Sequence, residues 1–586
     1  MNVNAIPVLS LLLILPLAAS LLVVFLKDDL TIRRVTLGAS LVEIVLALPL
    51  LSFIPNGGFQ FVEQAVWVAA WGLEYHLAVD GISILMIWLT VATLPMCVLC
   101  SWTYIGKRIK EFHICLLLMT AACIGVFAAM DFVLFYVFWE AMLIPMYLLI
   151  AVWGGDQRRY ASIKFFLYTL AGSALLLVVI VAFRINGGTF SIPELMQKSF
   201  SFRFQFWAFL AMALAFAVKV PMFPFHTWLP AAHVQAPSAG SVILASVLLK
   251  MGAYGFLRFC LPLTPMASEY FAPMMIGISI VSILYGGFVA LGQNDIKKLV
   301  AYSSVAHMGF VTLGIFLFDL QGVQGALLQM LNHGIITGAL FMMIGTIYER
   351  SHSREISDNL GLGKYLPAFM GFWGLFALAS LSFPGTNGFV GEMLVFAAAF
   401  RVDPLVGALI VPGALLGAAY MFRVSLKMAW GTPASPVACT HEHDAHNVEA
   451  PHAVAEDEHG ADHGHHEEEL ESKWPDLNKR EWSYVLIPAV FVLVIGLMPT
   501  PFLNIISPSV DKLLTDYSVR SNKVVLTSID AGAITSSAAL AASAARMAIE
   551  PGKAINNDAL LRAMDTIADA AKAKIVLVTA NEGERQ

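Results

Sequence analysis

Apolar runs of about 18 or more residues recur along most of this chain, each long enough to cross a hydrocarbon core of roughly 30 Å as a helix. Inside lipid every backbone N–H and C=O must be paired within the chain, so runs of this length point to a bundle of helices. Composition agrees. Of the 586 residues 58% are hydrophobic and 13% are charged, where a soluble domain carries about 25% charge. The first run, residues 5–26, lacks a basic leader and a small-residue cleavage site, so it reads as a retained span and not as a removed signal peptide.

Counting runs against charged breaks gives about fourteen spans, beginning near residues 5, 35, 80, 111, 131, 162, 205, 237, 271, 299, 321, 367, 404 and 484. The expected fold is an all-α polytopic membrane protein. Val220-Pro221-Met222-Phe223-Pro224 interrupts the seventh run, and Pro384-Gly385-Thr386-Asn387-Gly388 interrupts the twelfth. Broken helices at corresponding places in two halves mark inverted-repeat transporters, whose opened backbone lines a polar cavity; a plain proline kink is the simpler alternative. The chain then divides into helices one to three at 1–110, two inverted repeats at 111–260 and 271–430, a His- and acid-rich cytoplasmic loop at 431–480, a last span at 481–508 and a polar tail at 509–586.

Alternate connections gather Lys27, Arg33 and Arg34, then Lys107, Arg108 and Lys110, then Arg158, Arg159 and Lys164, then Lys297 and Lys298, then Arg350, Arg354 and Lys364. Such Lys/Arg excess marks cytoplasmic loops, which places both termini in the periplasm of a bacterial inner-membrane protein. The polar loop carries His441, His443, His446, His452, His459, His463, His465 and His466. Imidazoles there would suit zinc or nickel, but the spacing fits no closed four-ligand site, and a disordered acidic linker is the other reading. Cys97 and Cys100 form a C-x-x-C inside an apolar run, where cysteine behaves as a small hydrophobe. No redox centre is expected in this chain. The tail holds helix-forming stretches at 538–549 and 559–574.

Four charges stand in the wrong solvent: Glu140, Lys219, Lys250 and Glu392, each flanked by apolar residues. A charge at the centre of a membrane helix costs about 2.5 to 3.5 kcal/mol on insertion scales, so each needs a partner, water or a task. Lys219 directly precedes the first break and Glu392 follows the second. Between them lie His226, His233, His307 and His333, whose ring nitrogens can relay protons near neutral pH. Acid, base and imidazole in this pattern point to proton movement across the bilayer.

The segment Val220-Pro221-Met222-Phe223-Pro224-Phe225-His226-Thr227-Trp228-Leu229-Pro230-Ala231-Ala232-His233-Val234-Gln235-Ala236-Pro237-Ser238 resembles the signature of the proton-translocating, antiporter-like subunits of respiratory complex I. Ser246 to Gly255 and Asp295 to Gly309 look like the same family, and the resemblance covers about residues 75–430. Asn332-His333-Gly334, and a glutamate at Glu392 where sister subunits place lysine, look most like the M branch of NADH-quinone oxidoreductase. Chains L and N and the cation/proton antiporter subunits are the alternatives; the absence of a closing apolar span after Pro508 disfavours L.

The resemblance implies that Glu140 and Lys219 form a buried pair, that Lys250 continues a central hydrophilic axis, and that Glu392 ends it on the periplasmic side. His307 and His333 match positions on or near that axis, and His226 and His233 match the loop after the broken helix. It also implies that NADH, FMN, iron–sulfur clusters and quinone act in other subunits, with no cofactor or metal here. The implied partners are other complex I membrane subunits, chains L and N above all, and the bilayer, with no nucleic acid. A multisubunit sodium/proton antiporter is the alternative assembly.

Overall fold

The computed structural model describes residues 7–432 and 474–521. The eight loop histidines, Cys439 and the stretches 538–549 and 559–574 lie outside the described residues. The chain begins with α1 (Val8–Phe25) and α2 (Asp29–Ala47), followed by a hairpin of β1 (Gln60–Val68) and β2 (Leu73–Val79). Then come α3 (Ile84–Cys100), α4 (Ile109–Ala128), α5 (Phe132–Ala141), α6 (Leu143–Trp153), α7 (Arg158–Gly187), the short α8 (Ile192–Leu195), α9 (Phe202–Lys219) and α10 (Trp228–Gln235). A single apolar stretch, Ser238–Leu263, is built from α11 (Ser238–Ile243), α12 (Leu249–Gly255) and α13 (Leu261–Leu263), joined by π-helical turns at Leu244–Leu248 and Phe256–Cys260. The rest comprises α14 (Pro265–Leu291), α15 (Ile296–Phe316), α16 (Leu320–Ser351), α17 (Leu362–Tyr365), α18 (Pro367–Ser380), α19 (Asn387–Val402), α20 (Pro404–Trp430), α21 (Lys479–Leu497) and α22 (Thr500–Ser521).

Among the described residues, twelve helical stretches are long and apolar enough to cross a membrane. The third and twelfth expected spans correspond to shorter apolar helices, Ile84–Cys100 and Pro367–Ser380. Helix ends are set by polar caps: the side chains of Asp131, Asp295 and Asp319 accept backbone N–H groups at the starts of α5, α15 and α16. Asn478 and Glu481 form a capping box on α21.

Burial sorts the helices into two layers. The most apolar windows of Ser238–Leu263, Ile296–Phe316 and Leu320–Ser351 are 100%, 94% and 94% buried, whereas Asp29–Ser52 is 28% buried. Ile109–Ala128, at 83%, is also enclosed. A helix enclosed by other helices can carry polar side chains without exposing them to lipid, so these inner helices are where a polar axis can stand.

Both sequence breaks coincide with helix ends. After α9 stops at Lys219 the opened backbone finds new partners: Phe223 N–H donates to Ser282 Oγ at 3.0 Å, and Trp228 Nε1–H donates to the Val218 carbonyl at 2.7 Å. Between α18 and α19, Gly385 adopts φ +90°, a conformation that side chains other than hydrogen disfavour. Asn332 then donates to the Asn387 carbonyl at 2.7 Å.

The all-α frame holds, with one addition, the β1–β2 hairpin, whose Glu63 carboxylate accepts the Leu9 and Ser10 N–H groups at 2.7 and 3.0 Å and so caps α1. Pro508 lies within α22, so the helix runs across the 508/509 position.

Candidate functional site

Glu140 lies near the end of α5, one residue after Trp139, and its Oε1 is buried without a hydrogen-bond partner. Lys219, 2% exposed, ends α9. Its ammonium group sits 4.9 Å from the centre of the Trp139 ring and 3.4 Å from Met142 Sδ. The expected pair is therefore not a direct salt bridge: no nitrogen–oxygen approach of 4.0 Å or less joins Lys219 to Glu140. The ring's negative face and the thioether hold the ammonium instead.

Lys250 is fully buried on α12, just after the first π turn. That wide turn leaves the Ala245 carbonyl open to the Lys250 side chain, five residues on, which donates to it. The same Nζ lies 2.6 Å from His333 Nδ1, so one inner helix is linked to the next. The His333 and His307 ring centres are 5.8 Å apart. Between them lies a small cavity lined by Gln329, Thr337 and Ser380 as well as both histidines, with room for about one water molecule.

His307 Nδ1 lies 2.7 Å from Glu392 Oε1. Glu392 also accepts from Gln329 Nε2 at 3.0 Å and, through Oε2, from Ser382 Oγ at 2.7 Å; Ser382 belongs to the second break. A carboxylate at Nδ1 selects the Nδ1–H form of His307 and leaves Nε2 as the acceptor. Tyr420 OH at 3.3 Å and Ser380 Oγ at 3.5 Å face that nitrogen.

Four of the expected residues thus form two hydrogen-bonded pairs, Lys250–His333 and His307–Glu392, which face each other across the small cavity. His226 and His233 make no hydrogen bond to either pair. His233 lies flat on Phe341 at 4.5 Å between ring centres, and His226 packs against Phe223 and Tyr285 at 5.8 and 5.0 Å; both rings lack hydrogen-bond partners at either nitrogen. Sequence reasoning missed Gln329, Ser380, Ser382 and Tyr420. It also took Lys297 for a loop charge, although this residue is buried and donates to the Ala236 carbonyl at 2.6 Å. The buried Arg258–Asp80 pair, 2.6 Å, was likewise not anticipated.

Among the described residues no group of three or more His, Cys, Asp or Glu is arranged to hold a metal ion. What the chain offers is a row of proton donors and acceptors inside a helical bundle.

The family described as "NADH:quinone oxidoreductase/Mrp antiporter, TM" matches residues 129–417, a segment that contains Glu140, Lys219, Lys250, His307, His333 and Glu392. Fold and site together define an antiporter-like membrane subunit. NADH-quinone oxidoreductase subunit M of Rhodobacter capsulatus is 47% identical over 444 residues, covering 72% of this chain and 86% of its own length. Subunit M of Rickettsia prowazekii is 39% identical over 523 residues, covering 87% and 99%. The chain belongs to the NADH-quinone oxidoreductase subunit M family. A chain of respiratory complex I from Thermus thermophilus, solved with bound NADH, superposes with a TM-score of 0.76 at 29% identity, covering 87% of this chain and 100% of that one. A chain of the Mrp complex from Dietzia gives 0.75 at 21% identity over 89% and 100%, a likeness of fold alone.

Proposed function

We propose that this chain is a proton-translocating membrane subunit of an NADH:quinone oxidoreductase, set in a bacterial inner membrane with both termini periplasmic. Electron transfer from NADH to quinone takes place in other subunits, which hold the FMN and iron–sulfur clusters, and chains L and N are its neighbours. The observation that carries this reading is the alignment of two buried contacts, Lys250–His333 and His307–Glu392, whose imidazole centres stand 5.8 Å apart across a small cavity.

In this mechanism protonated Lys250 gives its proton to His333 Nδ1, and His333 Nε2–H passes one through the small cavity to His307 Nε2. His307 then releases its Nδ1 proton to Glu392, whose other donors, Gln329 and Ser382, hold the carboxylate in place. Glu140 and Lys219 act electrostatically, since charges within a few ångströms in the protein shift each other's proton affinity without contact. The two breaks and the repeats that contain them supply the opened backbone around this axis.

The test is His333→Leu in membrane vesicles, reading NADH oxidation together with proton uptake. Coupled turnover should collapse while the complex still assembles; full turnover with normal uptake would overturn the relay. Mass spectrometry of the mildly solubilised assembly separates the complex I reading from a sodium/proton antiporter. FMN- and iron–sulfur-bearing subunits should travel with the chain, and an assembly of membrane proteins only would refute the proposal.

A further inference from the structure

Behind the Lys250–His333 pair lies a cavity of about 520 Å³ that the relay does not use. Its walls come from the turn after α2, α3, α11 with the first π turn, α16, α21 and α22. None of its lining residues is charged. The two hydroxyls in its lining are already occupied: Ser246 Oγ donates to the Gly334 carbonyl at 2.9 Å, and Thr93 Oγ to the Leu89 carbonyl at 2.6 Å. Apart from the indole of Trp88, a ligand here meets hydrocarbon.

The cavity is elongated. Along α16 its lining runs from Leu331 to Met342, and along α3 from Ile84 to Met96, which at 1.5 Å per residue is about 16 to 18 Å. Half of a roughly 30 Å hydrocarbon core, the depth spanned by the chains of one leaflet, is about 15 Å. On its outer side stand Leu48, Leu51, Ile487 and Phe491, between 43% and 70% exposed, so the space communicates with the lipid-facing surface. The solvent at that surface is acyl chain. A deep apolar cleft that opens onto lipid fills with lipid for the same reason that a polar cleft on a soluble protein fills with water.

We infer that this cleft binds one acyl chain of a membrane phospholipid, lying along α3 and α16. Ser246 and Gly334 form its inner wall; Ser246 follows Ala245, which accepts from Lys250, and Gly334 follows His333. The acyl chain is thus a dry backing to the Lys250–His333 contact. The inference stands on the cavity itself and does not depend on which protons move.

The test uses native membranes loaded with a phosphatidylethanolamine whose acyl chain carries a diazirine, followed by peptide mapping of the illuminated full-length chain. Labelling on Trp88, Met96 and Ile335 should exceed that on the outward-facing Val45 and Leu177 by about fivefold. Ala92→Phe, which fills the cleft, should remove that excess, and Val45→Phe should leave it unchanged. Equal labelling of cleft and outer surface overturns the inference, as does labelling that survives Ala92→Phe in a chain still assembled at wild-type level. Competition by a long-tailed quinone and not by unlabelled phospholipid would overturn it in favour of a prenyl chain. A cross-link from the cleft to a peptide of another protein would replace lipid by a partner helix.

Discussion

The region around the first break and the region around the second contain the same kinds of charge but hold them differently. At the first, Lys219 rests on an indole ring and a thioether, and Glu140 Oε1 has no hydrogen-bond partner. At the second, Glu392 accepts three hydrogen bonds and opens onto a line of imidazoles ending at Lys250. The same residue types are therefore held in two ways, by an aromatic ring and a thioether at the first break and by a cluster of hydrogen bonds at the second. Under the proposed function only the second arrangement passes protons.

This contrast can be broken by substitution. The largest loss should follow Lys250→Met or Glu392→Gln, each lowering coupled proton uptake about 100-fold, as expected when a positioned proton donor or acceptor disappears. The double variant should be no worse than either alone, because both cut one chain. Additive losses in vesicle assays would show that the two residues work separately. Glu140→Gln should cost about tenfold, since beyond 4 Å its interaction with Lys219 stays below about 4 kcal/mol at an effective dielectric of 20. A loss as large as that of Lys250→Met would mean that Glu140 conducts.

Trp139→Leu should cost less, about fivefold, the equivalent of about 1 kcal/mol of lost cation–π attraction. It should also move the pH profile of turnover, which a purely structural role for the ring would leave in place. Smallest is the effect at the β1–β2 hairpin. Burial lowers the His76 pKa from 6.5, against the opposing pull of Glu74 and Glu194. The folded hairpin then holds fewer protons than the unfolded one below pH 6.5, so its stability is complete above that value and declines as the pH falls through it. Protection factors of residues 60–79, corrected for the intrinsic pH dependence of amide exchange, should be lower at about pH 5.5 than at about pH 7.5 in the native protein. His76→Leu should flatten the difference.

Much of the frame was legible in the sequence because lipid makes long apolar runs and stranded charges conspicuous. Glu140, Lys219, Lys250 and Glu392 announced themselves by contrast with their neighbours. Their wiring did not: Lys250 and His333 are 83 positions apart, and His307 and Glu392 are 85 apart. Gln329, Ser382 and Tyr420 stayed invisible for a different reason. Uncharged polar residues are common in membrane helices, where a hydroxyl satisfies itself on the preceding turn, as Ser279 and Thr346 do here. Lys297 was misread because its charge stands beside Lys298 at a helix start, and sequence alone does not say that one side chain turns inward. The hairpin was missed because a charge-poor stretch between two spans reads as a connection.

The seat of Lys219 has a consequence of its own. An indole face attracts a cation but has no lone pair to receive a proton, and a thioether sulfur is far too weak a base to do so. Trp139 and Met142 therefore hold the ammonium without offering it a proton acceptor. A proton could leave Lys219 only after its side chain had moved off the ring by a few ångströms, so what this seat restricts is side-chain position and not acidity.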